Sequence, residues 1–178
     1  MSTLKKIVIV VVVIIVIPLI LALFIPKEVN YEKSITINSP INQVWESVNS
    51  LEDVDKWSPW NDYDPNMKKE ITGVDGTIGA KQSWDSEVDK VGKGEQTIVK
   101  IEPPYLFKTD LKFYVPYESE ANGFIKLAED GNSTIVTWGF QSEMPYPVNL
   151  MKLFMNMEEM MDEDWNLGLS KLKKLCES

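Results

Sequence analysis

The stretch ITINSPINQVWESVNSLEDVDKWSPW, from Ile35 to Trp60, decides the fold. It opens in a strand predicted over Val29–Asn38, where apolar and polar residues alternate. Ser39 and Pro40 follow, and this pair predicts a helix with Ser39 as the N-cap and Pro40 in the first helical position. The predicted helix carries one apolar face, formed by Ile41, Val44, Trp45 and Val48.

A second short helix is predicted at Leu51–Trp57, and it stops before Pro59 because proline cannot continue a helix. After this second helix, the sequence changes to the two-residue period of β-strands. Short connections rich in Gly and Pro, without intervening helices, then indicate an antiparallel meander. Its six strands are predicted at Lys68–Thr72, Thr77–Asp85, Gly94–Glu102, Tyr105–Phe113, Ser119–Leu127 and Ser133–Gln141.

The end of the chain has a helical period. From Val148 to Cys176, apolar residues recur at spacings of three and four, which predicts one amphipathic helix of about seven turns. The elements together give an α+β fold. Its seven-stranded antiparallel sheet curves around the long C-terminal helix, and two short helices follow the first strand.

An uncharged apolar run, Ile7–Ile25, precedes the first strand. Its 19 residues make a helix of roughly 28 Å, long enough to cross a bilayer core. A cleaved signal peptide is the competing interpretation, but no small-residue cleavage pattern follows the run. We therefore expect a transmembrane anchor over residues 1–26 and a second domain over residues 27–178.

Flanking charges bear on the orientation of this anchor. Lys5 and Lys6 favour a single pass with the N-terminus in the cytoplasm and the domain outside, in a bacterial envelope. Lys27 and Lys33 on the other side weaken that inference.

The composition excludes several classes of function. The formal charge is −9, and all 18 basic residues are Lys, without any Arg or His. Without His there is no imidazole base, no His-assisted nucleophile and no His-ligated metal. The acidic balance also disfavours nucleic acid as a partner. We expect neither a metal nor a cofactor, and the sequence identifies no catalytic residue.

Ile35–Trp60 resembles the opening strand, helix pair and Trp-x-x-Trp of the START/Bet v-like (SRPBCC) superfamily, and more closely its polyketide cyclase/dehydrase-like branch. The resemblance extends over roughly Val29–Cys176, through GAKQSWDSEVDKVGKGEQTIVKIEPP, GNSTIVTWGFQSEMPYPVNLMKLFMNMEEMM and LGLSKLKKL. It implies a helix-grip fold with a hydrophobic cavity for lipids, sterols, polyketides or similar molecules. Members of this branch include cyclases, aromatases, ligand carriers and relatives that assist chaperones, so the resemblance does not specify a reaction.

Candidate cavity residues lie on inward strand phases, at the end of the helix pair and on the C-terminal segment. Trp57 and Trp60 are either an aromatic lip or a plug of the sheet's open end. Trp84 and Trp138 line a pocket or form core, and the Met-rich segment either adapts to ligands or packs on the sheet. The full set is Trp57, Trp60, Gln82, Trp84, Phe107, Thr109, Leu111, Phe113, Trp138, Phe140, Met151, Phe154, Met155 and Met161.

Gln82 is the polar member that most needs a partner. Its strand phase points it inward beside Ala80 and Trp84, where a buried amide requires a hydrogen bond. A polar group of a ligand, the Thr109 hydroxyl or a water molecule can supply one.

Three functional hypotheses follow. The first is a membrane-tethered domain that binds or carries a hydrophobic small molecule, such as a lipid from the adjacent bilayer. The second is an enzyme of the polyketide cyclase/dehydratase type, which needs an inward Tyr, Asp or Lys with a perturbed pKa. The third is a protein-interaction module, favoured if the cavity is too small for about ten heavy atoms.

Overall fold

The computed structural model describes residues 3–178, with the side chains of Val8, Met157 and Glu158 excepted. Seven antiparallel strands form one sheet in the order β1-β7-β6-β5-β4-β3-β2. The strands are β1 Glu28–Ile37, β2 Lys68–Thr72, β3 Lys81–Asp85, β4 Lys93–Glu102, β5 Leu106–Val115, β6 Ser119–Asp130 and β7 Ser133–Glu143. The helices are α1 Thr3–Ala22, α2 Ile41–Trp45, α3 Leu51–Trp57, α4 Trp60–Tyr63 and α5 Met157–Cys176, with a 3₁₀ segment at Val148–Leu153.

The sheet is a meander completed by its first strand. Strands β2 to β7 pair in sequence, and β1 then pairs with β7 from Glu28↔Glu143 to Ile37↔Thr134. The predicted α+β, helix-grip architecture is confirmed, with the curved sheet wrapped around the C-terminal helix.

The hydrophobic core lies between the sheet, the helix pair and α5. Ile98 of β4 and Val136 of β7 are completely buried, as is Val44 of α2. From α5, Leu169 and Leu172 reach the same core. One continuous core therefore joins the sheet, the helix pair and α5, as expected for a two-layer domain.

The predicted C-terminal helix is wrong in its first turns. Its N-terminal part is the separate 3₁₀ segment, and α5 starts only at Met157. Asn156 is the N-cap of α5, because its side chain accepts a hydrogen bond from the Glu159 backbone N–H at 3.3 Å. The 20 residues of α5 give a helix of about 30 Å, not the seven turns expected.

The predicted N-cap of α2 is also wrong. Pro40 occupies that position, and the Ser39 hydroxyl donates instead to the Cys176 carbonyl at 2.8 Å. Gln43 donates to the same carbonyl at 3.3 Å. Ser39 therefore satisfies the last turn of α5, whose carbonyls have no partner within the helix. The short helix α4 was not predicted.

The thiol of Cys176 gives a first testable prediction. Burial raises its pKa above the ordinary value, while a hydrogen bond with Ser47 opposes the rise. A raised pKa leaves less thiolate at a given pH, and thiolate is the reactive form. We expect iodoacetamide at pH 8 to alkylate the folded chain at least about tenfold more slowly than the urea-unfolded chain. A mass-spectrometric time course measures this, and equal rates in the two states contradict it.

Helix α1 stands apart from the core. Among the described residues it is the one helix that is long and apolar enough, by length and composition, to cross a membrane. Its apolar side chains are exposed along most of its length, whereas Ala22 at its carboxyl end is buried.

Candidate functional site

A cavity of about 160 Å³ lies beneath the helices on the inner side of the sheet. Strands β3 to β7 form its floor, and residues of α3, α4 and α5 close it from above. Ten of the fourteen candidate residues lie around it: Trp57, Trp60, Gln82, Trp84, Phe107, Thr109, Leu111, Phe113, Trp138 and Phe140.

Tryptophans form one wall of the cavity. Trp138 of β7 stacks on Trp165 of α5 with the ring centroids 4.5 Å apart. Trp57 and Trp60 meet Trp138 edge to face, at 5.1 Å and 5.6 Å. Such pairs add roughly 0.5–1.5 kcal/mol each beyond the burial of their surface. The wall is therefore held in place by its own ring contacts.

Phenylalanines and Trp84 extend this lining across the sheet. Trp84 meets Phe113 edge to face at 5.8 Å, and Phe113 contacts Phe140 at 6.5 Å. Phe140 in turn meets Trp165 at 6.2 Å. The aromatic lining thus runs from β3 to α5 without interruption.

The sequence left two interpretations open for Trp57, an aromatic lip or a plug of the sheet's open end, and the structure shows features of both. Its ring is 1% exposed and its indole N–H donates to the Ser47 carbonyl at 3.0 Å, as expected of a core residue. The same ring borders the cavity. Trp57 is therefore a structural residue that also forms the wall, while Trp60 is only partly buried.

Amide and hydroxyl groups interrupt the apolar floor. Gln82 of β3 and Gln96 of β4 are opposite each other in the sheet, and Gln96 Nε2 donates to Gln82 Oε1 at 2.6 Å. We expected a ligand, the Thr109 hydroxyl or a water molecule to bond Gln82; instead the side chain of Gln96 on the neighbouring strand supplies the hydrogen bond. The pair uses one N–H and one carbonyl, so an amide NH₂ and a carbonyl remain for a ligand. The buried Thr109 hydroxyl borders the same space.

An ion pair spans one side of the cavity. Lys69 of β2 lies 2.7 Å from the carboxylate of Asp55 in α3, and it also donates to the side chain of Asn61. Both charged residues belong to the lining. Since each charge is satisfied by the other, the pair fastens α3 to the edge strand rather than presenting a free acid or base.

A second charged cluster, formed by Tyr63, Lys90 and Asp164, contains two groups whose pKa values are shifted. The buried Asp164 of α5 accepts a hydrogen bond from the Tyr63 hydroxyl at 2.6 Å and pairs with Lys90 at 3.0 Å. The bond to Asp164 raises the pKa of Tyr63, and the bond to Tyr63 raises the pKa of Lys90. These three residues are not part of the cavity lining. Their contacts instead join α4, the β3–β4 connection and α5.

Four candidate residues do not line the cavity. Met151 and Phe154 are exposed, the latter at 85%, and Met155 is partly buried outside the lining. The reason is that the 3₁₀ segment packs against the end of α1 instead of extending α5 over the sheet. Met161 packs against the core but likewise does not reach the cavity.

Sequence reasoning missed other residues of the lining. Gln96 shares its strand phase with Gly94 and Ile98, so its inward direction was readable, but its pairing with Gln82 was not. Trp165 lies within the helical period of the C-terminal segment, and that period did not indicate that it borders a cavity. Asp55 and Lys69 carried no sequence signal. Within the described part of the chain, no group of three or more Cys, Asp or Glu side chains is placed to hold a metal ion.

Comparison with solved structures agrees with this fold. A protein from Nitrosospira multiformis is 16% identical, with 82% of this chain and 94% of that one covered at a TM-score of 0.59. Ara h 8.0201 is 11% identical, with 84% and 97% covered at 0.56. The di-domain ARO/CYC StfQ, from the steffimycin biosynthetic pathway, is 8% identical, with 85% and 51% covered at 0.63.

The sequence itself identifies the family. None of the curated proteins matches this chain. The profile of the family described as "Polyketide cyclase / dehydrase and lipid transport" matches residues 28–177, which is the whole body after the apolar helix. The resemblance seen in the sequence to the SRPBCC superfamily and its polyketide cyclase-like branch is thereby confirmed. This chain belongs to the polyketide cyclase / dehydrase and lipid transport family.

Proposed function

We propose that residues 27–178 bind a hydrophobic small molecule in the aromatic cavity, and that residues 1–26 tether this domain to a membrane. The observation that carries the proposal is a cavity walled by Trp and Phe with an amide pair in its floor. An apolar space with a few convergent polar groups is the usual form of a small-molecule site. Family membership supports a domain of the ligand-binding or cyclase type.

The size of the cavity limits the ligand. Its volume of about 160 Å³ is close to that of a cavity of roughly 150 Å³ that takes up benzene. Sites for drug-sized ligands are larger, at about 300–1,000 Å³. The best-fitting ligand is therefore a single ring with one polar substituent, or one end of a longer lipid chain whose remainder stays outside.

Binding is better supported than catalysis. The ionisable residues of the lining are Asp55 and Lys69, and they neutralise each other. The Tyr63 hydroxyl, whose pKa is raised, bonds Asp164 outside the lining. A cyclase or dehydratase needs an acid or base within reach of the substrate.

The binding test uses the tryptophans as reporters. Five of the six Trp residues border the cavity, so ligand entry changes the intrinsic fluorescence. We expect p-cresol to quench this fluorescence saturably in the full chain held in nanodiscs, and to bind about 2–13-fold tighter than toluene. The ratio corresponds to one hydrogen bond of about 0.5–1.5 kcal/mol to the floor.

A matched double variant makes this test specific. Gln82→Met together with Gln96→Met removes both members of the amide pair, and replacing both partners by apolar groups of similar shape costs little stability. We expect the variant to melt near the parent temperature and to bind p-cresol no more tightly than toluene, because a phenol hydroxyl that has lost its hydrogen-bond partner is costly to bury. A preference that survives in the variant contradicts the role given to the amide pair.

A protein-interaction role is the second candidate, because the cavity of about 160 Å³ is smaller than the sites of about 300–1,000 Å³ that take drug-sized ligands. It predicts no saturable binding of either ring. It also predicts no shift in melting temperature across longer fatty acids and sterols.

The membrane tether has its own prediction. Helix α1 has 20 residues, or about 30 Å, which matches the hydrocarbon thickness of a bilayer. We expect the full chain to remain in the membrane pellet after alkaline carbonate extraction, with its N-terminus intact. The orientation that we infer places the domain outside the cytoplasm, where external protease digests it in intact cells. Recovery of a soluble chain that begins shortly after Ala22 supports a cleaved signal peptide instead.

A further inference from the structure

The segment after β7 carries apolar side chains to the surface beside the carboxyl end of α1. Phe154 is 85% exposed and Leu153 58%, while Phe24 just beyond α1 is 80% exposed. Together with Leu23 and Met151, which are also exposed, these residues form what we call the anchor-end patch. Soluble proteins rarely expose large apolar side chains in such a group unless the surface contacts a partner or a membrane.

Buried hydrogen bonds fix this patch to the helix. Asn149, completely buried, donates through Nδ2 to the carbonyls of Ala22 at 2.7 Å and Ile25 at 2.8 Å. Lys152 donates to the carbonyls of Pro26 at 3.1 Å and Glu28 at 2.7 Å. The last carbonyls of a helix have no partner within it, and here the 3₁₀ segment supplies one. The patch therefore keeps a fixed position relative to the end of α1.

Counting along the helix gives the depth of the patch. The uncharged run that begins in α1 at Ile7, after Lys6, and continues to Ile25 spans roughly 28 Å, close to the thickness of the hydrocarbon core. Leu23 and Phe24 are at the end of this run, so in a spanning helix they lie at the boundary between acyl chains and headgroups. Asn149 holds the 3₁₀ segment against the same turn. Met151, Leu153 and Phe154 therefore lie at a similar level.

We propose that the anchor-end patch inserts into the interfacial layer of the bilayer that α1 spans, so that the domain is seated on the membrane rather than swinging on a linker. This rests on the proposed tethering. The occupant is a lipid surface, because Leu23 and Phe24 of the patch directly follow α1, whose own apolar side chains are exposed along most of its length. Side chains of this kind bury their apolar faces at the acyl–headgroup boundary.

The test measures depth in liposomes of phosphatidylcholine and phosphatidylglycerol. The full chain carries the environment-sensitive NBD label at Phe154→Cys, at Leu21→Cys within α1, or at Val74→Cys. Val74 is 72% exposed in the connection between β2 and β3 and is the matched control. Native Cys176 is buried and takes up little label. Quenching by lipids with a doxyl group high on the acyl chain reports contact with the interface.

We expect strong quenching at Leu21→Cys and Phe154→Cys, and none at Val74→Cys. Quenching at Leu21→Cys without quenching at Phe154→Cys contradicts insertion of the anchor-end patch, while membrane crossing by α1 remains supported. Absence of quenching at both positions contradicts both proposals. An NBD label at Phe154→Cys that is shielded from water but not quenched, with energy transfer between labelled chains, shows that a second copy covers the patch and overturns the lipid assignment. Leu153→Cys repeats the measurement if Phe154→Cys fails to fold.

Discussion

Replacing Trp57 with Ala is expected to lower the free energy of unfolding by about 3–5 kcal/mol, the usual cost of deleting a buried aromatic side chain. Trp57 is 1% exposed, meets Trp138 edge to face at 5.1 Å and hydrogen-bonds the Ser47 carbonyl. The substitution removes these contacts together and leaves the Ser47 carbonyl without its indole donor. Urea denaturation followed by circular dichroism measures the change.

Trp60→Ala is the matched control for this prediction. Trp60 also contacts Trp138 and borders the cavity, but it is only partly buried. We expect it to cost clearly less, since less surface returns to water. Equal costs for the two variants contradict the assignment of Trp57 as the structural member of the pair.

Trp57→Ala is also expected to change ligand binding. It adds the volume of an indole ring to the cavity, so we expect the folded variant to accept two-ring molecules such as naphthalene that the parent chain excludes. Competition against p-cresol, monitored through the remaining tryptophans at low temperature, tests this. A variant that is destabilised but keeps its single-ring limit shows that the walls collapse into the vacated space.

Local patterns were sufficient to predict most of the fold. The strands followed from alternation, because a sheet with one buried face imposes a two-residue period on its sequence. Helix α3 was predicted at its observed bounds because Pro59 ends it, and the structure adds Ser50 as its N-cap. The inward phase of Thr109, Leu111 and Phe113 was likewise readable from one strand.

Three of the misses depend on contacts between separate parts of the chain. The break before α5 reflects hydrogen bonds of Asn149 to the end of α1, more than a hundred residues earlier. Ser39 has the residue type of an N-cap, but it bonds the opposite terminus of the domain. The Gln82–Gln96 pair requires the register between β3 and β4. Periodicity determines which face a side chain occupies, but not which neighbour it meets there.

Gly139 shows how register also creates requirements that composition does not reveal. It is directly opposite Phe124 across β6 and β7, and a Cβ atom at position 139 would lie 1.9 Å from the ring of that phenylalanine. Phe124 is buried, with Lys126 above its ring at 4.3 Å, so the ring has little freedom to move. Gly139 is therefore required by the lack of space for a side chain. Its backbone conformation does not require glycine, since its φ lies outside the left-handed region.

We therefore expect Gly139→Ala to destabilise the domain by about 1–3 kcal/mol or more, as overpacking does. Phe124→Leu in the same chain should recover part of this loss, with a coupling free energy of about 0.5–3 kcal/mol, because a smaller side chain vacates the space that the new Cβ needs. Gly131→Ala is the matched control. Its φ of +61° makes a side chain costly, yet nothing lies within 4 Å of its Cβ position. Phe124→Leu should leave that cost unchanged, and additive behaviour of Gly139→Ala and Phe124→Leu in urea denaturation would show that the ring is not what excludes a side chain at position 139.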